Sequence, residues 1–509
     1  MNNLTRTQLS KRNFSVSVGS RLVVMIANFV SRTVFVRTIG AEYLGLGGFF
    51  GNIFSLLSLC ELGFGAAVCQ TLYKPIAQND EYAVSGIMAF YAKISKIIAS
   101  VILVLSIFVI PFMDKLVKSK IDISQIICAY ILFCLHGFVS YLLVPKKMLV
   151  ICDQRLYVVA GVRCVFSVIS LVIQCMVLVK TGNYLVYLCA RIMLVVFEDL
   201  LVNAYADKKY HFLSVKNTIT TTYKNEIYSK VKALVFHKSG GVLSRCTDSL
   251  LISFFAGLHG MAKYSNYALV IGTIAALFDV AVNSLSASIG NLGASEGGKK
   301  SEMVMRRLYF INFCLVTVCC SVIVSTLNQI IELWMGKEMV FSDFEMLIIV
   351  ASFYFSCIRD PVQIFVSSFG LFRQSRMIPI FRAILNLVFS VFFIRKIGIA
   401  GVFLGTVLST VFAPLPWEVY VLYKYGFKEN SRPFQKEMAG YIGFSFMSCA
   451  VGFYVTYKFP QSISGIVFRM ITSVVVFCVL VLIMYSNSQH LKFAVGFLKN
   501  FFAKNNKKV

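Results

Sequence analysis

The chain has 509 residues, of which 58% are hydrophobic and 14% are charged, and its mean hydropathy is +0.76. Soluble domains carry about a quarter charged residues, so this composition excludes a water-soluble fold. The net charge of +26 does not call for nucleic acid as a partner, because basic loops beside an anionic membrane leaflet account for most of it. The composition predicts an all-α polytopic membrane protein.

The apolar runs and the breaks between them predict fourteen transmembrane helices, since each span needs about 20 mostly apolar residues. The first run follows Arg6, Lys11 and Arg12 but is too long for a signal-peptide core, so we expect it to be retained. The predicted bounds are 14–36, 44–69, 90–113, 123–144, 157–179, 183–206, 238–257, 264–290, 309–335, 344–369, 378–394, 399–421, 437–457 and 463–485.

The distribution of lysine and arginine between alternate loops predicts the orientation of the chain. The side that holds both termini carries 32 of the 49 basic residues, the opposite side carries 10, and 7 lie within predicted helices. Positively charged loops stay on the cytoplasmic side. Both termini are therefore predicted to be cytoplasmic, in a multi-pass protein of the bacterial inner membrane.

Cysteine and histidine patterns predict no metal site and no cofactor. The 15 cysteines lie in or beside predicted helices without a CxxC pair, and the five histidines follow no ligand spacing. The glycines at 45, 47, 48 and 51 are typical of close helix packing, and they lack the lysine of a phosphate-binding loop. We predict that the protein is not an enzyme.

The longest cytoplasmic connection divides the chain into two predicted lobes. We expect an N-terminal lobe at 1–206, an inter-lobe loop at 207–237 and a C-terminal lobe at 238–421. A peripheral helix pair at 437–485 and a basic cytoplasmic tail at 486–509 follow. A weak internal repeat, which aligns Ala41-Glu42-Tyr43 with Ala262-Lys263-Tyr264, makes the first and seventh helices candidate equivalents in two parallel repeats.

A stretch near the amino terminus carries a family resemblance. Residues 37–73, RTIGAEYLGLGGFFGNIFSLLSLCELGFGAAVCQTLY, followed by Lys74-Pro75-Ile76-Ala77 and Asp80, resemble the signature of the polysaccharide-biosynthesis flippases encoded with O-antigen and capsule genes. These belong to the multidrug/oligosaccharidyl-lipid/polysaccharide exporter superfamily. The resemblance implies two six-helix bundles around a cavity that opens alternately to either side. It also implies a polyprenyl-pyrophosphate-linked oligosaccharide as cargo, with membrane lipids and other polysaccharide-assembly membrane proteins as partners.

Seven arginines lie inside predicted helices, where each ionisable group costs about 2.5–3.5 kcal/mol on insertion scales and so usually faces a cavity or a partner. Each guanidinium can bind two phosphate oxygens at once, so we predict cargo contacts at Arg21, Arg245, Arg32 and Arg359. The alternatives are that these side chains snorkel to the membrane surface or form structural pairs. Asp248, three residues after Arg245, could neutralise it, and Pro361 follows Arg359-Asp360 at a predicted bend. Arg163 and Arg191 are interpreted as interfacial or internal to a lobe, and Arg469 as structural. The seven are Arg21, Arg32, Arg163, Arg191, Arg245, Arg359 and Arg469.

Three acids within predicted helices are candidates for coupling transport to an ion gradient. Burial raises the pKa of carboxyl groups and lets them take up protons, which makes Asp248, Glu61 and Asp279 candidate coupling groups. Packing hydrogen bonds are the alternative role for each of them.

Two other functions compete with the flippase. The first is a drug or cation antiporter of the same superfamily. An acidic cavity would bind a cationic drug, whereas the seven arginines favour an anionic cargo. The second is a membrane glycan polymerase or ligase. Such enzymes usually work on a large external loop, whereas the longest external loop here is about Asp114 to Asp122.

Overall fold

The computed structural model describes residues 6–61, 63–117, 119, 121–214, 217–283, 289, 298–493 and 495–496. Within these ranges the chain is built from helices. The first half contains α1 (Arg6–Thr38), α2 (Ala41–Leu57), α3 (Phe64–Ala77), α4 (Glu81–Val109), α5 (Ile123–Cys152), α6 (Leu156–Thr181), α7 (Tyr184–Lys209) and α8 (Thr221–Asn283). The second half contains α9 (Gly298–Met335), α10 (Asp343–Cys357), α11 (Asp360–Ser368), α12 (Ile378–Ile397), α13 (Ile399–Phe412), α14 (Pro414–Val421), α15 (Arg432–Thr456) and α16 (Ile463–Tyr485).

Shorter turns connect several of these helices. Met113–Leu116 and Phe372–Ser375 are single α-helical turns, and Leu422–Phe427 continues α14 as a π-helical turn. The 3₁₀ turns are Ser58–Glu61, Ile110–Phe112, His211–Ser214 and Lys337–Met339.

The prediction of an all-α polytopic membrane protein is confirmed. Ten helices of the described chain are long and apolar enough to cross a membrane. The four other predicted spans are also helical. Residues 44–69 are divided mainly between α2 and α3, residues 184–206 lie in α7, and residues 238–257 and 264–283 lie in α8.

Two predicted spans are interrupted, 44–69 near Gly63 and 344–369 at the bend predicted from Pro361. Gly63 adopts φ 84°, a left-handed conformation that glycine reaches without a Cβ clash, and separates the turn Ser58–Glu61 from α3. Gly257, with φ 68° and ψ −173°, breaks α8 at the predicted end of the span 238–257. The predicted span 344–369 is divided between α10 and α11 by Ile358 and Arg359. Broken helices in a membrane place backbone polar groups where they line a cavity or are covered by protein.

The chain forms two compact units, residues 1–262 and 263–509. The predicted lobe boundary at 207–237 lies earlier in the chain than this division. In the first unit, one buried apolar cluster includes Phe49, Phe50 and Tyr130, and a second includes Tyr91 and Val202. The predicted extent of the lobes stays a prediction.

In the second unit, hydroxyl groups join α9 to the last two helices. Thr317 and Ser445 are 2.7 Å apart at their hydroxyl oxygens, and Ser325 and Ser473 are 2.6 Å apart. Small polar residues allow close approach of membrane helices and hydrogen-bond across them. The helices of the predicted peripheral pair, α15 and α16, therefore pack directly on α9.

Membrane topology is the first testable prediction. Reporter fusions after Val509 and within 210–235 are expected to read cytoplasmic, and fusions near Lys118 and Lys337 to read periplasmic, because of the distribution of basic loops. Paired reporters active on opposite sides of the membrane measure this. A periplasmic carboxyl terminus would refute the predicted number of spans.

Candidate functional site

The contact between α1 and α6 sets the geometry of the candidate site. The Ser20 hydroxyl donates to the Ala160 carbonyl at 2.8 Å, and the Ser31 hydroxyl donates to Gln174 Oε1 at 3.1 Å. Both residue numbers rise together along the contact, so the two helices run parallel. Ser20 and Ser31 are eleven residues apart, which on an α-helix is three full turns plus about 20°. The two serines therefore lie on the same side of α1, along one line of contact with α6.

Three arginines project on the same side of this helix pair. Arg21 and Arg32 each follow a contact serine by one residue, about 100° around α1. Arg163 follows Ala160 by three residues, which is about 300° around α6. Because the contact residues of the two parallel helices face each other, this rotation places Arg163 on the same side of the helix pair as Arg21. Arg21 and Arg163 are exposed, and Arg32 is half-buried. The side chains of Arg21 and Arg163 are therefore accessible from outside the helix pair.

Helix α7 adds a fourth arginine and one acid. Its residue Tyr187 packs on Phe35 of α1 with ring centroids 4.9 Å apart, and it interacts electrostatically with Arg32. Arg191 and Glu198 lie four and eleven residues after Tyr187, within about 40° of it around the helix. Arg191 is exposed, whereas Glu198 is half-buried and interacts electrostatically with Lys147 on α5 and, less strongly, with Arg163 on α6.

We call Arg21, Arg32, Arg163 and Arg191 the arginine face. It is drawn from three helices of the first unit, and Glu198 is the carboxylate placed beside it. Phosphate groups are the anions that arginine forks bind best. The face is therefore suited chemically to an anionic ligand that carries phosphate.

The adjacent side of α7 holds a neutralised pair. The Lys147 ammonium on α5 is 2.7 Å from a carboxylate oxygen of Asp199, and the Asn203 amide donates to the Leu143 carbonyl at 3.0 Å. The Asp199 carboxylate is 9% exposed and the lysine 28% exposed. These contacts fix α7 against α5, so Lys147 is already engaged and does not belong to the arginine face.

Glu61 lies at the break between α2 and α3. The Tyr141 hydroxyl donates to Glu61 Oε2 at 3.2 Å. A Cβ on Gly65 would lie 3.2 Å from Glu61 Oε1 and 3.1 Å from the Tyr91 hydroxyl, which shows how closely these groups approach. The carboxylate is half-buried beside the hydroxyl groups of Tyr141 and Tyr91. Its predicted role in ion coupling stays a prediction.

Arg359, in the second unit, is held by a carboxylate. Its Nη2 lies 2.7 Å from Glu418 Oε1 and its Nε 3.1 Å from Glu418 Oε2. Gln363 also donates to Glu418 at 3.2 Å, and the side chains of Arg359 and Glu418 are only 6% and 11% exposed. The pair joins the break before α11 to α14. Arg359 would have to leave Glu418 before it could contact cargo.

The other predicted residues occupy different environments. Asp248 is buried in α8, and Asp279 is exposed near the end of the same helix. Arg245 lies in α8 by its backbone, but its side chain falls outside the described part of the structure. The predicted meeting of Arg21 with Arg245 therefore stays a prediction, as do the coupling roles of the two acids.

Arg469 has a structural environment. It is 2% exposed and donates to the backbone carbonyls of Tyr457, Phe459 and Ser325. These bonds tie α16 to the end of α15 and to α9. Within the described ranges, His, Cys, Asp and Glu side chains form no group of three that could hold a metal ion.

The sequence interpretation did not assign Arg163 and Arg191 to the site. A usable signal was present, because Tyr187, Arg191 and Glu198 follow helical spacing on one stripe of α7. What the sequence lacked was the contact line between α1 and α6, which places Arg163 on the side of Arg21.

Comparison with known proteins identifies the fold. No protein-family model and no curated protein sequence matches the chain. Among solved structures, an inward-facing multidrug-resistance MATE family transporter of the MOP superfamily is 13% identical, with a TM-score of 0.63 over 80% of this chain and 97% of that one. The lipid II flippase MurJ in an inward closed conformation is 12% identical, with a TM-score of 0.62 over 93% and 99%. A MOP superfamily transporter from Pyrococcus furiosus is 13% identical, with a TM-score of 0.57 over 84% and 100%.

The chain thus has the fold of transporters of this superfamily and is a multi-pass membrane protein. The sequence resemblance named the same superfamily from the first 80 or so residues. The particular polysaccharide-flippase family within it stays a proposal.

Proposed function

We propose that this protein is a flippase that carries a polyprenyl-pyrophosphate-linked oligosaccharide from the cytoplasmic to the periplasmic leaflet of the bacterial cytoplasmic membrane. The cargo would be an O-antigen, capsule or exopolysaccharide repeat unit, moved by alternating access. The observation that carries the proposal is the arginine face, four cationic side chains on three helices of the first unit, with the Glu198 carboxylate nearby.

The charge of the cargo explains why these arginines would be kept in the membrane. A lipid pyrophosphate is a dianion or more, and each guanidinium offers it two parallel hydrogen bonds. The energetic cost of placing arginine inside a span is then offset when the phosphate groups bind. The polyprenyl chain would remain in lipid while the sugars occupy the polar side.

The fold comparison supports a transporter without selecting its cargo. One similar structure is a lipid II flippase and another is a multidrug-resistance transporter. The Pyrococcus furiosus transporter is described as having a binding pocket of reverse polarity, which suggests a different function for that protein. Pocket charge is therefore a useful criterion within this fold.

A drug or cation antiporter is the second candidate. Its support is the likeness to multidrug-resistance transporters. The arginine face argues against it, because four cations repel a cationic drug. For either function, Glu61, Asp248 and Asp279 are the proposed ion-coupling groups. Arg245 and Arg359 remain proposed cargo contacts beside Arg21 and Arg32.

Removal of either cargo-facing arginine of α1 is expected to impair translocation. Arg21→Ala and Arg32→Ala should each reduce the rate about tenfold or more, since hydrogen bonds to charged groups contribute about 1.5–3 kcal/mol each. The lysine variants should recover only part of the rate because an ammonium lacks the planar fork. The measurement is transfer of lipid-linked oligosaccharide across proteoliposomes, normalised to inserted protein.

Arg37→Ala is the matched control for this experiment. Arg37 is exposed on the same helix but lies about 160° around α1 from Arg21, so its removal should leave translocation unchanged. Efflux of a cationic dye from the same vesicles tests the antiporter. Dye efflux without oligosaccharide transfer would overturn the flippase proposal.

A further inference from the structure

We propose that α12 carries a binding site for an anionic phospholipid of the periplasmic leaflet, with one acyl chain along residues 387–392 and the phosphate group at Arg395 and Lys396. The inference does not depend on which cargo the transporter carries. It rests on a groove in the second unit and on the two cations at its end.

The groove runs along one side of α12 and has a volume of about 590 Å³. Its lining is apolar over most of its length and ends in two basic side chains. Leu387, Val388 and Phe392 are exposed, and exposed apolar patches mark surfaces that contact other apolar matter, a membrane among them. The lining residues are Leu387, Val388, Val391, Phe392, Arg395 and Lys396.

The opposite side of α12 is already occupied by α13. The buried residues of α12 include Asn386 and Ser390, whose side chains hydrogen-bond to α13 at 2.9 and 3.3 Å. Val388 and Phe392 each follow one of these two residues by two positions, about 200° around the helix. The groove therefore faces away from α13, toward the lipid.

The length of the groove matches one leaflet of the membrane. Leu387 and Lys396 are separated by about 14 Å along the helix, at 1.5 Å per residue. The hydrocarbon core of a bilayer is about 30 Å thick, so the groove spans about half of it. Because α12 ends at Ile397, the two cations lie at the level of the headgroups and the apolar residues at the depth of the acyl chains.

The two cations at the end of the groove can receive an anion. Arg395 and Lys396 are exposed in the last turn of α12. The ion pairs found in the described part of the second unit lie elsewhere, at Arg306, Arg359 and His490. Adjacent, exposed basic side chains at a membrane surface attract anionic lipid headgroups.

The position of this pair on the predicted periplasmic side favours a bound anion. Only 10 of the 49 basic residues lie on that side, and Arg395 and Lys396 are two of the ten. The sequence has no acidic residue between Asp360 and Glu418, so neither α12 nor α13 supplies a carboxylate. The Lys396 ammonium lies 4.4 Å from the centre of the Phe392 ring, beside the groove. A lipid phosphate is the anion that the membrane itself supplies at this level.

The volume of the groove favours one acyl chain as its occupant. A cavity of about 150 Å³ holds a benzene ring, so a groove of about 590 Å³ corresponds to roughly 24 carbon atoms. That space accommodates a single phospholipid chain. It is too small for a polyprenyl chain, which is much longer.

Native mass spectrometry of the full chain in detergent measures the binding of individual lipids. Phosphatidylglycerol and phosphatidylethanolamine with identical acyl chains are the probes, so that a difference between them reports the headgroup charge. Arg395→Gln and Lys396→Gln are each expected to weaken phosphatidylglycerol binding about fivefold, and the double variant about thirtyfold, because each basic side chain contributes separately to attraction of an anionic headgroup. Binding of phosphatidylethanolamine should change by about twofold or less.

Lys180→Gln is the matched control. Lys180 is exposed in the last turn of α6, on the same predicted side of the membrane, so its replacement should leave both affinities unchanged. Val388→Trp tests the apolar part of the site, since the indole fills the groove without adding charge and should weaken binding of both lipids severalfold. A double variant that binds phosphatidylglycerol as Lys180→Gln does, or that loses both lipids equally, would overturn the proposal.

Photocrosslinking of the wild-type protein makes the test independent of how the variants fold. Phosphatidylglycerol with a diazirine in one acyl chain is expected to label residues 387–392 in preference to the exposed apolar residues of α16. Equal labelling of the two helices would indicate bulk lipid contact and would refute the site. Displacement of the labelled phospholipid by an equal concentration of polyprenyl diphosphate would also refute it, because α12 would then bind the longer lipid instead.

Discussion

Replacing Arg359 by methionine is expected to lower the free energy of unfolding by about 3–5 kcal/mol, because it leaves the Glu418 carboxylate buried without its counter-charge. In the folded protein, Nη2 and Nε of Arg359 contact both oxygens of Glu418, at 2.7 and 3.1 Å. Gln363 alone cannot neutralise the carboxylate. The measurement is the thermal unfolding of purified protein together with the amount inserted in the membrane.

The double variant Arg359→Met with Glu418→Leu is expected to recover most of this loss, since apolar residues of similar volume often replace a buried pair without penalty. Lys146→Met provides the control. Its pair with Asp207 is 2.6 Å long but 40% and 54% exposed, and exposed pairs contribute about 0–1 kcal/mol. A single Arg359→Met variant as stable as the wild type would contradict the structural role. Normal translocation by the double variant would remove Arg359 from the cargo contacts.

Gly405→Leu is expected to have the second large effect, preventing α12 and α13 from packing and removing most of the folded protein. A Cβ at this position would lie 2.6 Å from the backbone nitrogen of Ser390 and 2.9 Å from its Cα. Backbone atoms cannot rotate away from the added group as a flexible side chain can, so the two helices must separate. Overpacking commonly costs about 1–3 kcal/mol and more when the backbone has to move.

Gly440→Leu on α15 is the matched control for the glycine experiment. No atom lies within 4 Å of a Cβ added there, and leucine favours the helix by up to about 1 kcal/mol over glycine. Expression, monodispersity and thermal midpoint should therefore stay at wild-type values or rise. Equal tolerance of leucine at both positions would show that the α12–α13 contact is looser than the structure indicates.

Helices and arginines differ in how far the sequence predicts them. Apolar runs predicted the helical, polytopic fold of the described chain, in which ten helices are long and apolar enough to cross a membrane, because burial in hydrocarbon imposes a length and a composition on each span. The break at Gly63 was missed because the apolar pattern continues through it, and only its φ of 84° reveals the interruption. Hydropathy registers how apolar a residue's neighbours in the chain are and is insensitive to the backbone dihedral.

The candidate site shows the same limit at the level of side chains. Arg21 and Arg32 could be selected from the sequence because charge within a span is conspicuous. Arg163 and Arg191 were equally conspicuous but could not be assigned to a face without the Ser20–Ala160 and Ser31–Gln174 contacts. The partner of Arg359 could not be predicted from the sequence either, because Glu418 is 59 residues away in the chain.

The aromatic contacts of α1 and α2 with α7 bear on how firmly these helices are held together. Phe35 packs on Tyr187 at 4.9 Å and on Tyr184 at 6.1 Å, and Tyr43 packs on Tyr184 at 4.8 Å. Ring pairs contribute about 0.5–1.5 kcal/mol each beyond burial, and Phe35, Tyr184 and Tyr187 belong to the buried core of the first unit. Separating the helices here would therefore also expose apolar surface that contributes about 1.5–3 kcal/mol for each side chain. A rearrangement of the first unit that keeps this contact intact thus requires less energy than one that breaks it.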